Sequence, residues 1–165
     1  MGEQETAFIA AYDAHADALF RFAYFSVRDH EMAKDLVADT FTKVWQYIAK
    51  GNIVENIRAL CYRTLRNLIV DHWRKHKSLS LDALSDQGFE PIGEDGHQTV
   101  MESEESLLLK KAIGELPLAI REVILLRYIE GYDPKEIAEL LDISPSLVSV
   151  RIFRGTALLK KIIRT

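Results

Sequence analysis

Between Arg58 and Lys77 the cations Arg58, Arg63, Arg66, Arg74, Lys75 and Lys77 stand against one acid, Asp71, with Tyr62, His72, Trp73 and His76 interleaved. Cations at that density attract phosphates, and flat side chains stack on unpaired bases, so the chemistry on offer is the binding of a nucleic-acid strand. The same residues also describe a solvated basic face whose aromatics turn into a core. A second binding pattern lies in YDPKEIAELLDISPSLVSVRIFRGTALLKK, Tyr132 to Lys161. It reads as a helix, a tight turn at Leu141, Asp142 and Ile143, and a second helix. A helix fits the DNA major groove, and another packed across it fixes its angle. Ile137, Ala138 and Leu141 would face Val148, Ile152 and Leu159, leaving Ser146, Ser149, Val150, Phe153 and Arg154 outward and Arg151 near the edge. A plain helical hairpin in a bundle is the bland alternative.

Covalent chemistry is poorly supplied. His72 and His76 are four apart on one helical face, a spacing that suits a metal pair, but no Glu follows His72 and no third ligand is visible. Cys61 falls on an apolar stripe and reads as a core thiol. There is no glycine-rich phosphate loop and no Ser-His-Asp pattern. The expectation is a protein that is not an enzyme and needs no metal or cofactor.

These residues need elements to hold them. Helical spacing of Phe8, Ala11, Tyr12, His15, Leu19, Phe22 and Ala23 predicts one or two helices from Glu5 to Phe25. A second helix over 31–49 carries the stripe Met32, Leu36, Val37, Thr40, Phe41, Val44 and Ile48, with Gly51 as a stop. Its acids Glu31, Asp35 and Asp39, with Phe41 and Trp45, are a mix that a partner protein could use. The third, over 56–77, carries Ile57, Leu60, Cys61, Leu65, Leu68 and Ile69. Further along, SLLLKKAIGEL and LAIREVILLRYIEG predict two more helices, the latter stopped by Gly131. Asp133 before Pro134, with Glu136 third, is a helix start, and Ser144 before Pro145 repeats the device. No strand alternation appears.

The net charge of −4 conceals a pattern. Residues 1–77 hold 11 Lys/Arg and 10 Asp/Glu, residues 78–105 hold none against 8, and residues 106–165 hold 10 against 7. An acid excess confined to a connector does not argue against nucleic acid. The middle tract holds three glycines and one proline with little apolar content, so it reads as a flexible linker with brief contacts through Leu79, Leu81 and Phe89. With 48% apolar residues the chain has the makings of a folded core, yet no run is long enough to span a membrane. The first residues lack the basic start and apolar core of a signal peptide, and a single cysteine fits a reducing cytoplasm.

Three stretches together resemble a bacterial extracytoplasmic-function (ECF) sigma factor of the sigma-70 family. AKDLVADTFTKVWQYI resembles the region 2 helix that docks on core polymerase. NIRALCYRTLRNLIVDHWRK resembles the adjoining helix that meets the upstream promoter element, down to Arg66, Asn67, Leu68, Asp71 and Arg74. ELPLAIREVILLRYIEGYDPKEIAELLDISPSLVSVRIFRGTALLK resembles region 4, reader of the −35 element. The resemblance implies an all-α chain of two small helical domains joined by an acidic flexible linker: region 2 over 1–77, linker over 78–105, region 4 over 106–165.

It implies promoter recognition and transcription initiation without chemistry of its own, in the cytoplasm, with core RNA polymerase, promoter DNA and an anti-sigma factor as partners and no membrane insertion. Polymerase docking would fall to Asp35, Asp39 and Thr42. The −10 contacts would come from Asn52, Asn56, Arg58, Arg63, Arg66, Asn67 and Arg74, with an unpaired base held by the loop 50–56. The −35 contacts would come from Ser146, Ser149, Val150, Arg151, Phe153 and Arg154, with Arg121 and Lys135 near phosphates. The chain departs from the family at Leu60, where Trp is frequent. It departs again at Leu147, Ser149, Val150 and Phe153, where Thr, Lys, Ser and His are common. Two other readings stand beside this one: a DNA-binding regulator that uses only the C-terminal helix-turn-helix, and a helical interaction module without DNA contacts.

Overall fold

A computed structural model describes residues 2–79 and 103–164, the side chains of 77–79 excepted. The linker reading of 80–102, and the contacts expected through Leu79, Leu81 and Phe89, lie outside these residues. Every described element is a helix.

The first lobe has three helices. Helix α1 (Glu3–Val27) is continuous, and it buries Leu19, Phe22, Ala23 and Val27. Tyr12, expected on the same stripe, is half exposed, with its ring 4.7 Å from that of Phe41. Helix α2 (His30–Ala49) starts at Asp29, whose carboxylate accepts from the Met32 amide at 3.0 Å, and ends before Gly51 at φ 95°. It buries Ala33, Leu36, Val37, Phe41, Val44 and Ile48. Helix α3 (Ile57–Leu79) is capped by Asn56, whose side-chain oxygen accepts from the Ala59 amide. It buries Cys61, Tyr62, Leu65 and Ile69.

The second lobe begins with α4 (Glu104–Gly114). Ser103 caps it and Glu104 and Glu105 occupy its first turn, so the last acids of the tract 78–105 belong to a helix, where they face the positive end of its dipole. Helix α5 (Leu118–Ile124) runs on into a wider π turn over Leu125–Ile129. There the Glu130 and Tyr132 amides reach back to the Leu125 and Leu126 carbonyls at 3.1 and 3.0 Å. Gly131, at φ 80°, ends the segment.

Helices α6 (Pro134–Leu141) and α7 (Pro145–Arg164) form the expected helix-turn-helix. Asp133 and Ser144 cap them, accepting from the Glu136 and Leu147 amides at 2.9 and 3.1 Å. Asp142 takes the left-handed conformation at φ 56° that closes α6. Ile137, Ala138 and Leu141 pack in one core with Val148, against which Ile152 lies.

Leu159 differs from expectation. It packs with Ile113, Ile124 and Leu125 instead. At 1.5 Å per residue α6 is only about 12 Å long, so α7 outruns it and meets α4 and α5. The close approach occurs at Gly155, where a Cβ would lie 2.5 Å from Ile124 Cγ1.

The lobes are not separate in this conformer. Val123, Leu126, Ile137, Leu140 and Val148 belong to the same buried cluster as Leu19, Phe22, Tyr62 and Leu65. Helix α3 packs directly on α6, and α1 on α5.

Candidate nucleic-acid interface

The basic helix α3 presents two faces rather than one. Asn67 and Arg74 are exposed on the first. With Thr64 and Asp71, Asn67 borders a shallow trough of about 370 Å³, whose other wall is Lys43, Tyr47 and Lys50 of the α2 end. Asn52, in the following loop, donates to the Tyr47 carbonyl at 2.9 Å.

The other face holds Asn56, Arg58, Arg63 and Arg66, and the second lobe covers it. The Asn56 amide donates to a Glu139 carboxylate oxygen at 2.9 Å, and Arg63 to the Glu139 carbonyl at 2.6 Å. Arg58 lies 3.9 Å from the Glu136 carboxylate and 4.9 Å over the Tyr132 ring. Arg66 pairs with Glu122 at 3.0 Å. Glu122 is only 1% exposed, and burial raises its carboxyl above the ordinary range although Arg66, Arg151 and Arg121 pull the other way. Of the acids of this seam, Glu122 on α5 and Glu139 on α6 carry no role in the sequence reading, and Glu136 figures there only in the helix start. Glu136 and Glu139 look like the solvated side of an amphipathic helix, and only the fold sets them against α3.

Aromatic stacking is narrower than the sequence suggests. Tyr62 is buried, edge-on to Phe22 at 5.5 Å, and is a core residue that no base can reach. Trp73 is partly exposed, but its indole N–H donates to the Ser26 carbonyl at 3.1 Å. His72 and His76 stack at 5.6 Å, and among the described residues no group of three or more His, Cys, Asp or Glu could hold a metal. Burial pushes the Cys61 thiol up to about 12, as befits a core residue.

On the second lobe, Ser146, Ser149, Val150, Phe153 and Arg154 lie together on the open side of α7, and Phe153 is 78% exposed. Lys135 is exposed at the start of α6. Arg151 is half-buried on α7, and its charge helps to lower the carboxyl pKa of Glu122 on α5.

Arg121 corrects an expectation. It is 8% exposed and cannot meet a phosphate in this conformer. Its guanidinium donates to Phe25 O at 2.9 Å, Ser26 O at 3.2 Å and Leu116 O at 2.7 Å. Helix α1 has no basic residue in its last turn, so Arg121 satisfies its terminal carbonyls from across the seam. That burial lowers the Arg121 pKa to about 10, with Arg28 adding to the effect.

The α2 residues Asp35, Asp39 and Thr42 are exposed on one helical side, away from its apolar stripe. The Thr42 hydroxyl donates to the Ala38 carbonyl at 2.9 Å.

Comparison with known proteins matches residues 11–79 to "Sigma-70 region 2" and residues 106–159 to "Sigma-70, region 4". The chain is 29% identical over 172 residues to the ECF RNA polymerase sigma factor SigW of Bacillus subtilis, covering 99% of this chain and 91% of that one. It is 29% identical over 144 residues to ECF RNA polymerase sigma factor SigL of Mycobacterium tuberculosis, covering 87% and 81%. The fold resembles that of the sigma factor RpoE, solved in complex with the anti-sigma factor NepR from Bartonella quintana. The TM-score is 0.76 at 23% identity, over 96% of this chain and 98% of that one.

Proposed function

The chain belongs to the sigma-70 family, in its extracytoplasmic-function group, and on that premise we propose how its surfaces divide the work of directing core RNA polymerase to promoters. Members of this family are transcription-initiation factors: they bind core polymerase and direct promoter recognition. The open acidic side of α2, with Asp35, Asp39 and Thr42, is the docking surface. Lobe 1–77 meets the −10 element through α3 and the loop before it. Lobe 106–165 sets α7 in the −35 major groove, with Ser146, Ser149, Arg154 and the methyl-seeking Val150 and Phe153 toward base edges and Lys135 toward phosphate.

The chain has no reaction of its own in this reading. It works in the cytoplasm, where polymerase is, and among the described residues no helix is long and apolar enough to cross a membrane. An anti-sigma factor is proposed as a further partner, by likeness to the complex of the Bartonella quintana relative. The observation that carries the reading is the pair of regional matches in order, with a basic helix in the first and an open helix-turn-helix face in the second.

Run-off transcription with core polymerase on genomic DNA tests it. Transcripts from discrete start sites are expected. Sequence-specific binding to duplex DNA by the chain alone, without polymerase-dependent transcripts, would favour a simple helix-turn-helix regulator instead.

A further inference from the structure

We propose that Tyr128 is a neutral phosphate contact of the −35 reading head, its phenol O–H aimed by Thr156 toward the DNA backbone beside α7. The contact rests on the placement of α7 in the −35 major groove given above.

Position comes first. Ser149 and Thr156 are seven residues apart on α7, so they stand about 20° out of line around the helix and about 10 Å apart along it. Thr156 therefore borders the reading stripe on its Ser149 side, with exposed Phe153 and Lys160 one turn before and after it. Tyr128 meets α7 at this point, its hydroxyl 3.5 Å from Thr156 Oγ1. The major groove is about 12 Å wide, and a helix inside it runs between two rows of phosphates. A side chain held against the flank of that helix, outside the stripe that reads bases, meets one of those rows.

The local backbone explains why Tyr128 is available. Ile124 and Arg121, four and seven residues earlier, are buried, and an unbroken α-helix would carry Tyr128 on their side. The π turn over Leu125–Ile129 intervenes, and Tyr128 is 55% exposed. Wider turns of this kind recur at functional sites. The cations of the same segment face elsewhere. Arg121 closes the end of α1, and Arg127 donates to the Tyr132 carbonyl at 3.2 Å. What the segment turns toward the groove wall is thus a neutral hydroxyl.

The hydroxyl is also free to change partner. Thr156 Oγ1 donates its single proton to the Ile152 carbonyl at 2.8 Å, so toward Tyr128 it can only accept. The phenol O–H is therefore directed at Thr156 across a long, weak contact. An ionised phosphate oxygen is a stronger acceptor than a hydroxyl, and Tyr128 reaches it by turning about its C–O bond. No charge is neutralised, so no counterion is released, which separates this contact from the one assigned to Lys135.

The test uses holoenzyme, core polymerase with the full chain, on duplex DNA carrying a promoter mapped by run-off transcription. Tyr128→Phe removes the hydroxyl and keeps the ring; Thr156→Val removes the group that aims it. Tyr128→Phe is expected to weaken promoter binding about tenfold, by the same factor on every −35 variant and with unchanged salt dependence. Lys135→Gln, by contrast, is expected to flatten the salt slope. Methylphosphonates placed singly along the −35 backbone should include one position that costs the native chain affinity and costs the Tyr128→Phe variant nothing more. Thr156→Val should weaken binding in the native chain but not in the Tyr128→Phe background, as a positioning group must.

Full affinity in Tyr128→Phe overturns the contact. So does a loss confined to particular −35 bases. A scan in which native and Tyr128→Phe chains lose equally at every phosphate would make Tyr128 a packing residue, and undiminished affinity in Thr156→Val would remove the aiming role. Absence of promoter-dependent transcripts with the native chain would instead remove the −35 role on which the contact stands.

Discussion

At the scale of single residues, Arg66 and Glu122 are the most informative pair. Burial raises the Glu122 carboxyl, and the Arg66 contact at 3.0 Å offsets only part of that. A carboxyl whose folded pKa exceeds its unfolded one favours the protonated folded form. Its contribution to stability is therefore best at low pH and declines as pH rises through the window above the ordinary carboxylate range. Removing Arg66 leaves a buried charge with less compensation and widens that window. Arg66→Ala is expected to cost about 2–3 kcal/mol near neutral pH, Arg66 being partly solvated, and clearly less near about pH 5. Urea unfolding at the two pH values measures it, and an equal loss at both would mean that packing of the Arg66 stem, not the charge, is what matters. Arg154 belongs at this scale too. Exposed on α7, it is expected on substitution by Ala to weaken promoter use by about 1–3 kcal/mol, with the loss concentrated on particular −35 variants. Transcription from a set of −35 variants reads this; a uniform loss would assign Arg154 to phosphate.

At the scale of elements, the helix starts were legible because capping is local. Asp133 with Pro134, and Ser144 with Pro145, act within one turn of themselves, and both caps form. The apolar stripes of α2 and α3 were legible because helical period alone decides which side turns inward. Gly155 was not. A glycine inside a helix costs about 1 kcal/mol against Ala, and nothing local explains it. The explanation is α5, whose Ile124 occupies the space a Cβ would need. Gly155→Ala is accordingly expected to lower stability by about 1–2 kcal/mol, overpacking outweighing the propensity gain. A melting curve with unchanged or raised midpoint would show that α5 and α7 can part slightly without loss. Helix α2 carries the other prediction at this level. Asp35→Lys with Asp39→Lys, both on its exposed side, should impair capture of core polymerase while circular dichroism shows helicity intact. Undiminished capture would remove the docking assignment.

At the scale of the whole molecule, one buried cluster crosses from α1–α3 into α5–α7. Lobes that share apolar core should lose it together, so calorimetry of the free chain is expected to give one cooperative transition rather than two. Two resolved transitions would show that the seam contributes little. The helical class, the two lobes in order, and the helix-turn-helix with its open face were determined by the sequence alone, because period, caps and turns are written over a few residues each. What only the tertiary structure decided is which charged groups are spent within the fold. Arg121 looked like a surface cation suited to phosphate, yet it closes the end of a helix nearly a hundred residues earlier in the chain. Tyr62 looked like a stacking platform and is core. Asn56, Arg58, Arg63 and Arg66 could be read as one basic face, but not as a face already holding Glu139, Glu136 and Glu122. A charge has no period of its own, and its partner is set by the packing of apolar surfaces far from it in sequence.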